Sequence, residues 1–432
     1  MTADLLDLTI EKPAAGGRMI ARHEGRVVFV SGAIPGERVR ARVEQVRGGI
    51  AYAVVTSVEE ASPDRREQRG DPACGGSVYA HIAYRRQPSL KGEIIADAFR
   101  RIGRVTLEAP VPVRPSPEEG YRMRARLHVR GSRIGFFREG SHDLCDPAAT
   151  GQLLPATGAF LQDLSARLRA AGVLAARELE LTENVPASER AVVVELAPGP
   201  GVLPHTVLPA IDLPEATGML VVRPDAPDRQ ASRGRPSVRD VLEVAQPGGH
   251  VRFTIRRHVM SFFQGNRYLL QPLIEAVAAR VPPGPVVDLY AGAGVFGLAC
   301  AALGRGPVVA VEGDRHSAQD LKDNAQQFGD GMKVVAAAVE PFLAREHLPE
   351  HATVIVDPPR VGLSREATAA LGAAGAKRLV YVSCDVATLA RDVHRLIEAG
   401  YGLEHIEAFD LFPNTAHVET LVVLAHPRRA EL

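Results

Sequence analysis

Over the first 60 residues short apolar-rich runs are separated by turn signals. Met19-Ile20-Ala21 follows Gly16-Gly17, and Arg26-Val27-Val28-Phe29-Val30 follows Glu24-Gly25. Pro35-Gly36 then precedes Val39 to Val43, and Gly48-Gly49 precedes Ile50 to Val58. Four or five strands at this spacing predict a small closed barrel. From Tyr84 to Ile102 the period lengthens, with Leu90, Ile94, Ile95, Ala98 and Phe99 at helical spacing. Over 121–137, Arg122, Arg124 and Arg126 alternate with Met123, Ala125 and Leu127 and the chain turns at Gly131-Ser132, which predicts a hairpin. The stretch 185–250 is rich in Pro and Gly; Val192–Leu196 and Gly218–Val222 are expected as strands of one sheet.

After Pro285 the texture changes. Apolar runs at Val286–Leu289, Val308–Val311, Lys333–Ala337, Thr353–Val356 and Arg378–Val382 alternate with helical segments near 295–303, 316–328, 364–371 and 385–398. That alternation predicts a doubly wound, Rossmann-like parallel α/β sheet. Two further β-rich runs, 402–410 and 419–425, predict an antiparallel ending. The fold class is therefore α/β, in three parts: a barrel at 1–60, a β-rich central domain at 61–255 and the α/β domain at 256–432, with helix 84–102 free to pack on the last.

Composition narrows the function classes. At 432 residues the chain exceeds one ordinary domain, and 46% hydrophobic with 24% charged residues is normal for a globular protein. Four cysteines rule out a disulfide scaffold and point to a reducing compartment. Met1-Thr2-Ala3-Asp4 is acidic without an apolar signal core, and no apolar run approaches the roughly 20 residues of a membrane span. A cytoplasmic protein is expected. Net charge is zero, yet residues 61–140 hold 16 Arg and Lys against 9 Asp and Glu, and Val251–Leu270 carries Arg252, Arg256, Arg257 and Arg267 with no acid. Such islands suit a polyanion, although 46 of the 51 basic residues are Arg, which scatters Arg over any surface.

The chemistry gathers at strand ends. Gly292, Gly294 and Gly297 follow the first strand of the α/β sheet in the dinucleotide pattern, with Glu312 ending the next strand. A nicotinamide-dependent oxidoreductase is one reading. Asp288, just ahead of the glycines, would repel a pyrophosphate and suits the cationic end of S-adenosylmethionine (SAM). Asp357-Pro358-Pro359-Arg360 ends the fourth strand, and the prolines stiffen its loop. Cys384 stands at the end of the fifth strand before a helix, where the helix N-terminus would favour thiolate. Glu419, beside His417, opens the last strand.

Ser-Cys-Asp-x-Ala-Thr-Leu-Ala-Arg-Asp (383–392), Phe-Pro-x-Thr-x-His-x-Glu (412–419), Asp-Pro-Pro-Arg (357–360) and Ser-Phe-Phe-Gln-x-Asn (261–266) together resemble the RNA uracil-C5 methyltransferases. The segment Gly32-Ala33-Ile34-Pro35-Gly36-Glu37-Arg38-Val39 looks like a TRAM domain, the RNA-binding barrel of the ribosomal branch. The resemblance implies Cys384 as nucleophile and Glu419 as base. Gln264, Tyr290, Gly292, Gly294, Glu312 and Asp357 are implied contacts for SAM or the target base. Arg122, Arg124, Arg126, Phe263 and Arg360 are candidate RNA contacts. RNA is the implied partner, 23S ribosomal RNA ahead of transfer RNA, and the chain is expected to be a monomer. Cytosine-C5 enzymes place a second cysteine where Arg360 stands, which favours uracil; a weakly catalytic RNA-binding relative is the other class.

The chain departs from the family in two respects. Relatives often hold a 4Fe–4S cluster on four cysteines, but here the knuckle reads Cys74-Gly75-Gly76-Ser77, and only Cys74 and Cys145 remain beside Cys300 and Cys384. No iron–sulfur cluster and no structural zinc are expected. Val335-Ala336-Ala337-Ala338 follows the third strand without the usual acid, which leaves the adenine end to backbone and apolar contacts.

Overall fold

The computed structural model describes residues 5–68, 70–138, 141–199, 202–349 and 351–426; Met1-Thr2-Ala3-Asp4 lies outside them. The five strands Leu5–Pro13, Met19–His23, Arg26–Ser31, Arg38–Arg47 and Ile50–Glu60 close a barrel in the order first, second, third, fifth, fourth. Alternation turns Leu8, Ile10, Val28, Val30, Val39 and Ala41 inward. Tyr79, Ile82 and Leu90, from beyond the barrel, complete that core.

The central region forms a seven-stranded sheet. Its order is Ala231–Gly234, Gly218–Val222, Arg190–Leu196, Ala176–Glu183, Arg124–Arg130, Arg133–Phe137, Leu144–Cys145. The expected hairpin and the two expected strands are present, and Arg190–Leu196 pairs parallel with Gly218–Val222. The helix Pro155–Ala170 and strand Ala176–Glu183 add to that picture, burying Phe160, Leu161, Leu164 and Leu168 against Leu127, Leu179, Leu181 and Val192.

A boundary at residue 256 would fall inside the antiparallel pair Ser237–Gln246 and Gly249–His258, whose apolar face, Leu242, Val244, Phe253 and Ile255, shares a core with Leu270, Leu273 and Val295 of the α/β domain. We propose a boundary just before this hairpin.

The α/β sheet has eight strands in the order Met332–Ala336, Val308–Glu312, Val286–Leu289, Thr353–Val356, Arg378–Ser383, Glu419–Ala425, Gly402–Phe409, Val113–Arg114. The first five are parallel to one another, and Glu419–Ala425 runs antiparallel to both of its neighbours. Helix Gln87–Arg101 does pack here, burying Ile95 and Phe99 among the sheet's residues while Leu90 enters the barrel core.

Among the described residues one disulfide, Cys74–Cys145, is present, a single cross-link that the sequence did not lead one to expect. Cys74 bridges to Arg138 and Cys145 pairs with Phe136, so the same hairpin brings the two sulfurs together. Closing a loop between cysteines 71 residues apart restricts the unfolded chain. Cys145→Ser is expected to lose about 2–4 kcal/mol of stability without reductant, read from urea unfolding, and nothing when both proteins are reduced. Identical midpoints without reductant would contradict the pairing.

Candidate active site

The strand Val286–Leu289 runs into a loop that only certain backbones can follow. Tyr290, Gly292 and Gly294 all have positive φ (58°, 57° and 100°). A Cβ on Gly294 would also lie 2.5 Å from Leu321 Cδ1. Gly294 caps helix Val295–Ala302, whose first N–H groups face the loop. Glu312 braces the loop from the next strand: Oε2 accepts the Gly292 N–H (2.8 Å) and Oε1 the Asp314 N–H (2.6 Å). Its remaining lone pairs suit ribose hydroxyls.

Asp288 lies deeper than the glycine loop that follows it. It is fully buried beneath the loop, where Oδ2 accepts the Gly297 N–H (2.8 Å) and Oδ1 has no partner among the described residues. Burial, with Asp357 and Glu312 nearby, pushes its carboxyl up to about 8. Its role is to hold the start of the helix.

Two acids, Asp357 and Glu419, and one cation, Arg360, converge on Cys384 at the strand ends. Ser383 pairs with Thr420, and continuing that antiparallel register by one residue sets Cys384 opposite Glu419, on the same face. Asp385 caps the following helix through the Thr388 N–H (2.9 Å), which fixes the turn carrying Cys384. Asp357 accepts from Gln264 Nε2 at 3.4 Å. Burial and the Glu312 charge raise its carboxyl to about 7, against the opposing bond from Gln264. Glu419 is 3% exposed, its Oε1 lacks a partner among the described residues, and burial and Asp357 push its carboxyl well up.

The Cys384 thiol is raised to about 11, first by burial and then by the Glu419 charge. Burial and two carboxyls thus stand against the acidifying pull expected from the helix that follows. Arg360 opposes them, hydrogen-bonding the thiol and attracting the negative forms of both Cys384 and Glu419.

The chain is similar to known proteins over nearly its whole length. The family described as tRNA (Uracil-5-)-methyltransferase matches residues 346–427, and the TRAM domain matches 4–56. The 23S rRNA (uracil(1939)-C(5))-methyltransferase RlmD of Pseudomonas entomophila is 33% identical, over 96% of this chain and 92% of that one. The chain belongs to the RNA uracil-C5 methyltransferase family. An uncharacterized RNA methyltransferase of Streptomyces avermitilis is 31% identical over 97% of both chains. Among solved structures, the Pyrococcus abyssi tRNA (uracil-54, C5)-methyltransferase in complex with S-adenosyl-L-homocysteine shares the fold, with TM-score 0.74, 23% identity and coverage of 97% of this chain and 99% of that one.

In this methyltransferase the candidate RNA contacts differ in burial and in partners. Phe263 is 5% exposed and lies under the Arg257 guanidinium (4.0 Å to the ring centre), whereas its neighbour Phe262 is 58% exposed. Adjacent residues of an extended segment point to opposite sides, and here the outer one is Phe262. Arg122 is half-buried, bonded to Gln152 Oε1 (2.6 Å) and stacked on Phe136 and Phe412. Arg124 pairs with Glu180 and lies over the Phe262 ring; Arg126 pairs with Glu178. Arg124 and Arg126 are held by partners on the neighbouring strand and Arg122 by Gln152, so none is presented singly. Arg360 remains exposed at the mouth of the site.

On the cofactor side, Tyr290 OH donates to Glu340 Oε1 at 3.4 Å. An acid thus does follow the third strand, two residues beyond Ala338 at the start of the next helix. Among the described residues no group of three or more His, Cys, Asp or Glu is placed to hold a metal.

Proposed function

We propose that this protein methylates C5 of a uridine in 23S ribosomal RNA, with SAM as methyl donor. The observation that supports the mechanism is the Ser383–Thr420 pairing, which brings Cys384 and Glu419 together close enough for the carboxyl to act on the thiol. The loop fits the cofactor: glycines leave room for a ligand at the backbone, and Glu312 is fixed at its rim. Gly292, Gly294, Glu312 and Tyr290 would hold SAM, which when bound supplies an electrophilic methyl group.

C5 of uracil is too weak a nucleophile to take that group unaided. Addition of the Cys384 thiolate to C6 makes C5 enolate-like, and C5 then attacks the methyl. Glu419 next takes the C5 proton, the C5–H electrons form the C5–C6 double bond, and the C6–S bond breaks. Gln264 and Asp357, bonded to each other, are set to read the base edge, and the protonated Asp357 favoured by burial can donate to a carbonyl oxygen. A uracil reaches this site only out of its stack, and the exposed Phe262 ring under Arg124 offers a surface for stacking beside it. The TRAM barrel adds a second RNA-binding module, and we assign the protein to the cytoplasm as a monomer. Among the described residues no helix is long and apolar enough to cross a membrane.

The test is methyl transfer from labelled SAM to unmodified 23S ribosomal RNA and to transfer RNA, with nucleosides identified after digestion. Label in 5-methyluridine from ribosomal RNA supports the reading; label confined to transfer RNA, or in 5-methylcytidine, overturns the assigned substrate.

Arg360 gives a pH signature. It lowers the thiol and the Glu419 carboxyl, so Arg360→Ala should raise both, reducing the thiolate at neutral pH. We expect kcat/KM to be lower near pH 7.5 and to recover as pH rises, since below the pKa the thiolate fraction climbs with pH. A deficit equal at all pH values would assign Arg360 to RNA contact alone.

A further inference from the structure

The carboxylate expected to remove the C5 proton has little holding its tip. Glu419 Oε1 has no hydrogen-bond partner among the described residues, so its place depends on the backbone from which it springs. That backbone leaves the loop 410–418, and the loop is gripped from outside the α/β domain. Lys91, fully buried on helix Gln87–Arg101, directs Nζ to Asp410 Oδ1 (2.5 Å), Phe412 O (3.2 Å) and His417 O (2.8 Å). One ammonium thus ties both ends of the loop, the second only two residues before Glu419. One turn earlier, Gln87 clasps the loop's middle: its Nε2 donates to Asn414 Oδ1 and its Oε1 accepts the Asn414 N–H, both at 2.9 Å. Asn414 needs that grip, because its φ is +63°.

We infer that Lys91 is a positioning residue for proton abstraction, fixing the loop that delivers Glu419 to C5. The inference rests on Glu419 being the base. All three donors of the ammonium are spent on the loop, so Lys91 has none left for RNA or SAM. A buried charge kept at this point sets geometry that an apolar side chain cannot, since only hydrogen bonds fix carbonyls 412 and 417 at once. The same helix sends Leu90 into the barrel core, so the clamp lies at the joint between barrel and α/β domain.

The test separates the two halves of the reaction. RNA carrying 5-fluorouridine at the target accepts thiolate and methyl but offers no C5 proton, so it traps the covalent complex without needing the base. Lys91→Met should trap at the wild-type rate, within about twofold. On ordinary uridine RNA it should turn over on the order of tenfold more slowly or worse, with unchanged KM for RNA and SAM, and methylated covalent complex should accumulate. The doubly neutralised Lys91→Met/Asp410→Asn protein, which leaves no unpaired buried charge, should behave alike and covers the case in which the single variant unfolds. Trapping and turnover falling together in the folded double variant, or neither changing, overturns the inference. Glu419→Gln runs in parallel. Accumulation with Glu419→Gln but not with the Lys91 variants refutes this inference alone. Absence of accumulation with Glu419→Gln refutes the base assignment beneath it.

Discussion

Cys384→Ala is expected to bind SAM as the wild type does and to lose methyl transfer by on the order of 10⁴-fold or more, the scale on which enzymes fall when their nucleophile is removed. No other thiol can take over. Cys300 is fully buried in the helix behind the glycine loop, and Cys74 and Cys145 are bonded to each other. SAM contacts do not depend on the sulfur, since the loop and Glu312 stand on other strands. The variant should also fail to form a denaturant-stable complex with 5-fluorouridine RNA. A stable complex formed by Cys384→Ala would place the covalent bond elsewhere.

Glu419→Gln should have a different signature. The amide keeps the shape of the carboxyl but cannot take a proton, so addition and methyl transfer proceed and release stalls. Turnover is expected to fall by about 10²–10⁴-fold, the range for loss of a positioned base, while covalent RNA–protein complex accumulates on ordinary uridine RNA. Denaturing electrophoresis with labelled RNA reads this directly. Near-normal turnover would show that another group or water removes the proton; loss of complex formation itself would place Glu419 earlier, in activating Cys384.

How much of this the sequence disclosed depends on whether a local pattern carried it. The α/β domain was legible because its strands are buried on both faces and read as unbroken apolar runs such as Thr353–Val356 and Arg378–Ser383. The chemistry was legible because Asp357, Cys384 and Glu419 stand at ends of strands that the alternation had located. Whether those ends meet is a matter of register, and the pairing of Ser383 with Thr420 appears only in three dimensions. The opposing electrostatics were likewise hidden: a helix start argues for an acidic thiol, and the burial and two carboxyls that push it up are seen only in three dimensions. Phe262 and Phe263 could not be told apart, since extended backbone exposes one of any adjacent pair and the sequence does not say which.

Lys91 did leave a trace. It occupies the apolar stripe of its helix, between Leu90 and Ile94, where a solvated lysine has no place. Its partner, Asp410, is over 300 positions away, beyond any periodicity. The disulfide was similarly out of reach, because Cys74 and Cys145 become neighbours only by pairing beside each other, with Arg138 and with Phe136.

The most direct test of C5 chemistry uses ribosomal RNA carrying tritium at uracil C5 together with carbon-labelled SAM. Methyl incorporation and tritium release should be equimolar, and both should vanish in Cys384→Ala. Methyl incorporation with the tritium retained would contradict the mechanism, because the methyl group would then have gone to an atom other than C5.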